Sequence, residues 1–121
     1  MAGTGTPWAT PRWQQYEKHR PPNGIGWREL VAETGKPGGE AYYHGSVSRI
    51  EQQEMEMGCI EPARLFRQLR NKRMYYADIG RRIGASDGEN TNFLYVEWLI
   101  SGEVHGRPIT VAELKRKGAA I

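Results

Sequence analysis

Apolar residues in the second half of the chain recur at three- and four-residue intervals, which is the spacing of one face of a helix. Leu65, Phe66 and Leu69 form the first such set, in a segment that opens with Pro62, a residue suited to a first helical position. A second set runs from Tyr75 and Tyr76 through Ile79 and Ile83, and a third comprises Phe93, Leu94, Val96, Trp98 and Leu99. The pattern predicts three helices, over 62–73, 75–83 and 92–101.

Capping sequences indicate three further short helices. Residues 27–34 precede Gly35, a common helix stop. The pairs Ser48 with Glu51 and Thr110 with Glu113 fit the capping box, in which a hydroxyl and an acid three residues later satisfy helix N–H groups. Between these helices, residues 103–111 hold β-forming residues broken by Gly and Pro, which favours a short extended segment. The predicted fold is therefore mainly α: a small bundle of short helices.

Residues 1–26 contain four prolines and four glycines, a density that prevents a long helix and favours extended chain. We therefore predict two parts, an extended N-terminal arm over 1–26 and a small helical domain over 27–121. The arm carries Trp8, Trp13 and Tyr16. Because aromatic residues supply much of the binding energy of protein interfaces, these three side chains are predicted to bind neighbouring subunits.

Composition narrows the classes of protein that the chain can represent. Its 121 residues suit one domain, its single cysteine excludes an internal disulfide framework, and it has no apolar run long enough for a transmembrane segment. Its first residues lack the pattern of a secretion signal or a transit peptide. These features predict an intracellular protein, with an organelle such as the mitochondrion or a virion left open.

The charged residues are unevenly distributed along the chain, although the net charge is only +3. Four arginines recur at three-residue spacing on the predicted helix 62–73, where they would share one flank: Arg64, Arg67, Arg70 and Arg73. We predict that this basic helix contacts an acidic partner. RNA, DNA, an acidic lipid surface and an acidic protein all fit that description.

Two short segments resemble known families. Residues 75–86 resemble the front half of a helix-turn-helix, with Ala77, Ile79, Ile83, Gly84 and Ser86 at the matching positions. That resemblance implies a DNA-binding regulator built on residues 61–101. Leu65, Phe66 and Arg67 are similar to the LYR motif of small helical mitochondrial accessory proteins, with Phe66 in the Tyr position.

The residues that carry chemistry in enzymes are sparse. His19, His44 and His105 lie far apart, Cys59 stands alone, and no metal-ligand spacing or cofactor motif is present. We therefore predict no catalytic residue, no metal and no cofactor. One chemical alternative is a small metal-independent nuclease or toxin, with His44 and His105 as acid and base and Arg107 near the phosphate.

Because the sequence offers few candidate catalytic residues, it favours a non-catalytic accessory subunit of a larger protein assembly. It would bind its neighbours through the aromatic arm and the basic helix. The DNA-binding regulator and the metal-independent nuclease are the alternatives.

Overall fold

A computed structural model describes residues 8–14 and 17–121 of the chain. The fold is mixed and predominantly β, with 31% of the described residues in strands and 27% in helices. The prediction of a mainly α bundle is therefore wrong. The prediction of extended chain near residues 103–111 agrees with the structure, where Glu103–Ile109 is a strand.

Two sheets form the scaffold. The five strands of the larger sheet are β1 (Arg12–Trp13), β3 (Leu65–Gln68), β4 (Lys72–Asp78), β7 (Phe93–Leu99) and β8 (Glu103–Ile109). Their order is β1-β8-β7-β4-β3, antiparallel throughout except that β1 runs parallel to β8. The smaller sheet has the order β2-β5-β6 and comprises β2 (Tyr42–Tyr43), β5 (Gly84–Ser86) and β6 (Glu89–Thr91).

In the described part of the chain, three α-helices accompany the sheets: α1 (Trp27–Thr34), α2 (Arg49–Gly58) and α3 (Val111–Arg116). Both predicted capping boxes are present, with Ser48 accepting from the Glu51 backbone N–H and Thr110 accepting from that of Glu113. Short 3-10 turns lie at Glu17–His19 and Pro62–Arg64. Among the described residues, no helix is both long enough and apolar enough to cross a membrane.

Apolar residues are buried on both faces of the larger sheet. On one face, Leu94 and Val96 pack with Tyr43, Val47 and Cys59, the last of which follows α2 directly. We call this the α2 face. On the other, the α3 face, Met74, Tyr95 and Ile109 pack with Leu114 of α3.

Burial on both faces explains why the predicted helix over 92–101 and the first part of the one over 75–83 are strands instead. A strand with one solvent-exposed face alternates apolar and polar residues, whereas a strand with both faces buried consists of a continuous run of apolar residues. The run from Phe93 to Leu99 is of the second kind, and a short run of this kind also satisfies the helical spacing. Its aromatic and β-branched residues stabilise the strand.

Because these segments are strands, the predicted helix-turn-helix is not formed. Residues 75–83 lie partly in β4, and the segment 92–101, where a recognition helix would lie, contains β7. Between them, Asp87 and Gly88 form the turn of the β5–β6 hairpin. Residues 65–67, which resemble the LYR motif, lie in the edge strand β3 rather than in a helix.

Residues 9–14 of the N-terminal arm run along the larger sheet, whereas Glu17–His19 of the same arm form a 3-10 turn. Arg12 N donates to Gly102 O and Gln14 N to Val104 O, each at 2.7 Å, and Ala9 N donates to Ile100 O at 3.1 Å. These hydrogen bonds place residues 9–14 along one edge of β8.

Candidate active site

Four polar side chains lie together on the α3 face because of the register between β7 and β8. Tyr95 is opposite Arg107, and Glu97 is opposite His105. Since residues two apart in a strand share a face, all four side chains point to the same side of the sheet. A sheet otherwise covered by apolar residues thus carries a compact polar block.

Glu97 is the centre of this block. Its Oε2 accepts hydrogen bonds from the Tyr95 hydroxyl and, at 3.0 Å, from Lys72 Nζ. Its Oε1 lies 3.8 Å from His105 Nε2. Burial alone would raise the pKa of Glu97, but the hydrogen bonds from Tyr95 and Lys72 outweigh that effect and lower it. Glu97 is therefore a fixed anion beside the His105 ring.

A cleft of about 180 Å³ opens over the polar block. Tyr95, Glu97, His105 and Arg107 form its floor, and its walls bring in residues from three other parts of the chain: Lys18 and His19, Glu40, and Lys117. We call it the histidine cleft, because His19 and His105 both line it.

The tautomer of His19 follows from its hydrogen bond to the backbone. The ring is 4% exposed, and its Nδ1 lies 2.8 Å from Ala41 O. A carbonyl oxygen only accepts, so Nδ1 must carry the hydrogen. Burial lowers the pKa of His19 and keeps the ring neutral near pH 7, which leaves the lone pair on Nε2.

His105 is partly buried and lies beside an anion. Burial lowers its pKa below the ordinary value, and the charge of Glu97, which favours the imidazolium, only partly offsets that change. The ring is partly exposed at the cleft, with 20% of the side chain accessible. When His105 is protonated, its charge is therefore stabilised by a neighbouring anion, and the ring remains within reach of solvent.

Two cations flank the Tyr95 ring on the α3 face. Lys117 Nζ lies 4.9 Å and the Arg107 guanidinium 5.7 Å from the ring centre. Burial lowers the pKa of Lys117. Arg107 is held in place by Glu113, 3.4 Å from Arg107 Nη2, and by Pro108 O, which accepts at 3.0 Å.

The predicted partner-binding aromatics of the arm contact this chain itself. The Trp8 and Trp98 rings are 5.4 Å apart, and the Arg73 guanidinium lies 4.3 Å from the centre of the Trp8 ring. Trp13 Nε1 donates a 2.9 Å hydrogen bond to Glu56 Oε1. Tyr16 lies outside the described residues.

The basic helix predicted from four arginines is not formed, because its residues belong to different elements. Arg64 ends a 3-10 turn and pairs with Glu61 at 3.1 Å, Arg67 lies in β3, and Arg73 lies in β4. Arg70 lies exposed in the turn between those strands. Arg67 reaches the rim of the α3 face, where its Nη1 donates to Lys117 O at 3.1 Å.

The structure changes the partner of His105. His44, predicted to pair with it, lies in a different cleft, with its ring centre 4.7 Å from that of Trp27 and Arg82 Nη2 3.2 Å from its Nε2. His19 lines the cleft with His105 instead. Arg107, which the nuclease alternative placed near the phosphate, also lines that cleft.

Glu97 and Tyr95 were missed by sequence reasoning. The signal that could have found them is the two-residue spacing of Tyr95 with Glu97 and of His105 with Arg107, which places each pair on one face of a strand. Among the residues that the structure describes, no group of three His, Cys, Asp or Glu side chains is placed to hold a metal ion.

Comparison with known proteins gives no relative for this site. No family model, no curated protein and no solved structure matches the chain. The function must therefore be argued from the cleft.

Proposed function

We propose that this protein is an endoribonuclease that cleaves single-stranded RNA by acid-base catalysis in the histidine cleft. The observation that carries the proposal is that one cleft is lined by two histidines, one hydrogen-bonded to a backbone carbonyl and one beside a carboxylate, together with two cations, Arg107 and Lys117. A base, an acid and a cationic site for phosphate are the groups that transesterification of RNA requires.

The two histidines divide the proton transfers. His19 Nε2 takes the proton of a ribose 2′-hydroxyl, and that oxygen attacks the adjacent phosphorus. The bond from phosphorus to the 5′-oxygen of the next nucleotide breaks, and His105 gives its proton to that oxygen. The products are a 2′,3′-cyclic phosphate and a free 5′-hydroxyl. This scheme is balanced with no metal ion, because both proton carriers are side chains.

Arg107 and Lys117 stabilise the charge that develops on phosphorus. Both side chains are partly shielded from water, where a fixed cation acts more strongly on a nearby anion than it does in bulk solvent. Glu97 raises the share of His105 that is protonated. It also keeps Lys72 and the Tyr95 hydroxyl ordered at the floor of the cleft.

The size of the cleft favours a single strand as substrate. Its 180 Å³ is below the roughly 300–1,000 Å³ of typical small-molecule sites. It would hold the reacting phosphodiester and its ribose while the rest of the strand lies on the surface.

The accessory-subunit function stays a prediction, but the main observation that supported it is now weaker. That prediction depended on Trp8 and Trp13 being available to a partner, and both are half-buried against this chain's own sheet and α2. Folding stability does not explain the polar residues of the histidine cleft, because apolar residues would cover a sheet face at a lower free-energy cost than a group of buried charges.

The test is cleavage of a fluorogenic single-stranded RNA in buffer with EDTA. We expect turnover by the wild type, a cyclic phosphate end in the product by mass spectrometry, and no cleavage of the same sequence as DNA. His105→Gln and His19→Asn should each lower kcat by about 10²–10⁴-fold, the usual contribution of an acid-base group. His44→Gln is the matched control, since His44 lies outside the cleft, and it should retain wild-type activity.

The pH profile provides a second measurement. A base and an acid working together give a bell-shaped dependence of kcat/KM, and each cleft variant should lose one limb of the bell. Absence of cleavage by the folded wild type would refute the proposal. Full activity in His105→Gln would refute it equally.

A further inference from the structure

A second cavity, of about 500 Å³, lies on the α3 face at the β3 edge of the larger sheet. Phe66 of β3 and Tyr76 of β4 line it, with their rings 5.5 Å apart and inclined at 67°. Both side chains are only partly buried. Gly118 and Ala120, which follow α3, also line this cavity. We call it the edge groove.

Three observations place the edge groove next to the histidine cleft. The ring of Phe66 lies 6.3 Å from that of Tyr95, which lines the cleft. Gly118 of the groove follows Lys117 of the cleft in the chain. Arg67 Nη1 donates to Lys117 O at 3.1 Å, so this side chain and one backbone segment form the ridge between the two cavities. A strand of RNA with its reacting phosphate in the cleft therefore reaches the groove with a neighbouring nucleotide.

The lining of the edge groove suits a nucleobase better than a phosphate. Phe66 and Tyr76 offer aromatic rings, on which every base can stack through its π-face. Asp78 also lines the groove, and its Oδ1 accepts from Gly80 N at 2.9 Å and from Asn92 Nδ2 at 2.6 Å. A carboxylate held in this way repels a phosphate, but it accepts hydrogen bonds from the N–H groups at the edge of a base.

Arg67 supplies a cation where the strand would cross the ridge. Its side chain is exposed. The hydrogen bond to Lys117 O uses one of the five N–H groups of the guanidinium, so others remain to bind a phosphate. Contacts of this kind hold the backbone of a nucleic acid in register while its bases occupy their own sites.

We propose that the edge groove binds the base of the nucleotide next to the cleavage point in a single-stranded RNA. The base packs against Phe66 and Tyr76, and the adjoining phosphate crosses the ridge at Arg67. This inference rests on the proposed nuclease function, because the histidine cleft supplies the reason for a strand to lie here. It also adds binding surface to a cleft of only about 180 Å³.

The test measures binding of a fluorescein-labelled single-stranded RNA in which fluorine replaces every 2′-hydroxyl, so that no nucleophile for cleavage is present. Phe66→Leu removes the aromatic face but keeps an apolar side chain. We expect it to raise Kd, measured by fluorescence anisotropy, by about 5-fold or more, the loss of one base-aromatic stack. Phe93→Leu is the matched control, since Phe93 packs against the same apolar cluster but does not line the groove. Its Kd should stay within about 2-fold of the wild type.

Two exposed positions test the groove without changing the core. Ala120→Leu fills space that the base would occupy, and it should raise Kd as Phe66→Leu does. Arg67→Gln removes one phosphate contact. It should make the dependence of log Kd on log salt concentration shallower by about 0.7, the value for one such contact with a single strand. Phe66→Leu should leave that slope unchanged, because stacking involves no counterion.

These measurements separate the edge groove from the nuclease. If the wild type binds the fluorinated strand but does not cleave ordinary RNA, and Phe66→Leu weakens binding, the nuclease proposal fails and the base site stands. If the wild type cleaves RNA but Phe66→Leu and Ala120→Leu bind as tightly as the wild type, the base site is overturned and the nuclease stands. Equal losses in Phe66→Leu and Phe93→Leu would reflect packing of the α3 face and would also overturn the base site. Absence of binding by the wild type would overturn both.

Discussion

Gly106 has no room for a side chain. A Cβ there would lie 2.6 Å from Tyr95 O and 3.0 Å from Val96 Cγ2, and backbone atoms of a central strand cannot move aside cheaply. We expect Gly106→Ala to lower the free energy of unfolding by about 1–3 kcal/mol, the usual cost of overpacking. Urea denaturation followed by circular dichroism measures this change.

Gly58 is the matched control for that substitution. It ends α2, and a Cβ at this position would meet nothing within 4 Å. Gly58→Ala should therefore raise the free energy of unfolding by about 0.5–1 kcal/mol through helix propensity. A less stable Gly58→Ala, or an unchanged Gly106→Ala, would contradict this packing.

At the level of single site residues, the sequence supports only part of what the structure shows. His105 and Arg107 are close in sequence, and both line one cleft. His19 enters from a 3-10 turn almost 90 residues earlier, so no local spacing relates it to His105. Whether His19 or His44 shares the cleft with His105 depends on how the segment before α1 packs, and local sequence patterns do not specify that packing.

Among the secondary structure elements, the β5–β6 hairpin gives the clearest prediction. Its central residues, Asp87 and Gly88, have φ values of 51° and 80°. Two consecutive positive φ angles define the type I′ turn, which favours Asp or Asn followed by Gly. A β-branched residue at the second position is strained, so Gly88→Val should lower stability by about 1–3 kcal/mol.

Asp87→Asn is the control at the first position of that turn. Asn also tolerates a positive φ. The substitution removes the charge that Asp87 offers to Arg116 at 3.4 Å, but this ion pair is exposed and contributes little to stability. We expect a melting temperature close to that of the wild type for Asp87→Asn and a clear drop for Gly88→Val. Equal melting temperatures would show that the turn is not of this type.

The elements that could be predicted are those with local signals. The capping boxes at Ser48 and Thr110 begin real helices, because a capping box specifies a helix N-terminus within four residues. Trp27–Thr34 is also helical as predicted, and it ends before the predicted stop at Gly35. The strands β4 and β7 could not be identified from periodicity, because helices and loops cover both of their faces. Asp87 followed by Gly88 is a local signal of the same kind, since that pair is typical of a hairpin turn.

For the whole molecule, the buried histidines determine how stability depends on pH. Burial lowers the pKa of both His19 and His105 below the ordinary value of 6.5. The unfolded chain therefore binds more protons than the folded chain between those lowered values and 6.5, and stability must fall as the pH drops through this range. Above about pH 7 both rings are neutral in either state, and this dependence disappears.

Thermal melts between pH 7.5 and pH 5 test that dependence. We expect the melting temperature to fall across this interval, and to fall less steeply in His19→Asn, because that variant has one fewer buried imidazole to protonate. Lowered carboxyl pKa values such as that of Glu97 weaken stability only at lower pH, below about 4.5. A melting temperature that is flat down to pH 5 would contradict the neutral, buried state of His19.

The histidine cleft draws on residues 18 and 19, on β7 and β8, and on Lys117 just after α3. During synthesis on the ribosome, the first of these segments leaves the exit tunnel long before the last. No nascent chain shorter than about 117 residues carries every wall of the cleft. The β8 segment, which holds His105 and Arg107, also has to be present before the early strand β1 has anything to pair with. The proposed activity would therefore arise only after Lys117 has been synthesised, and a chain terminated before that residue would be inert.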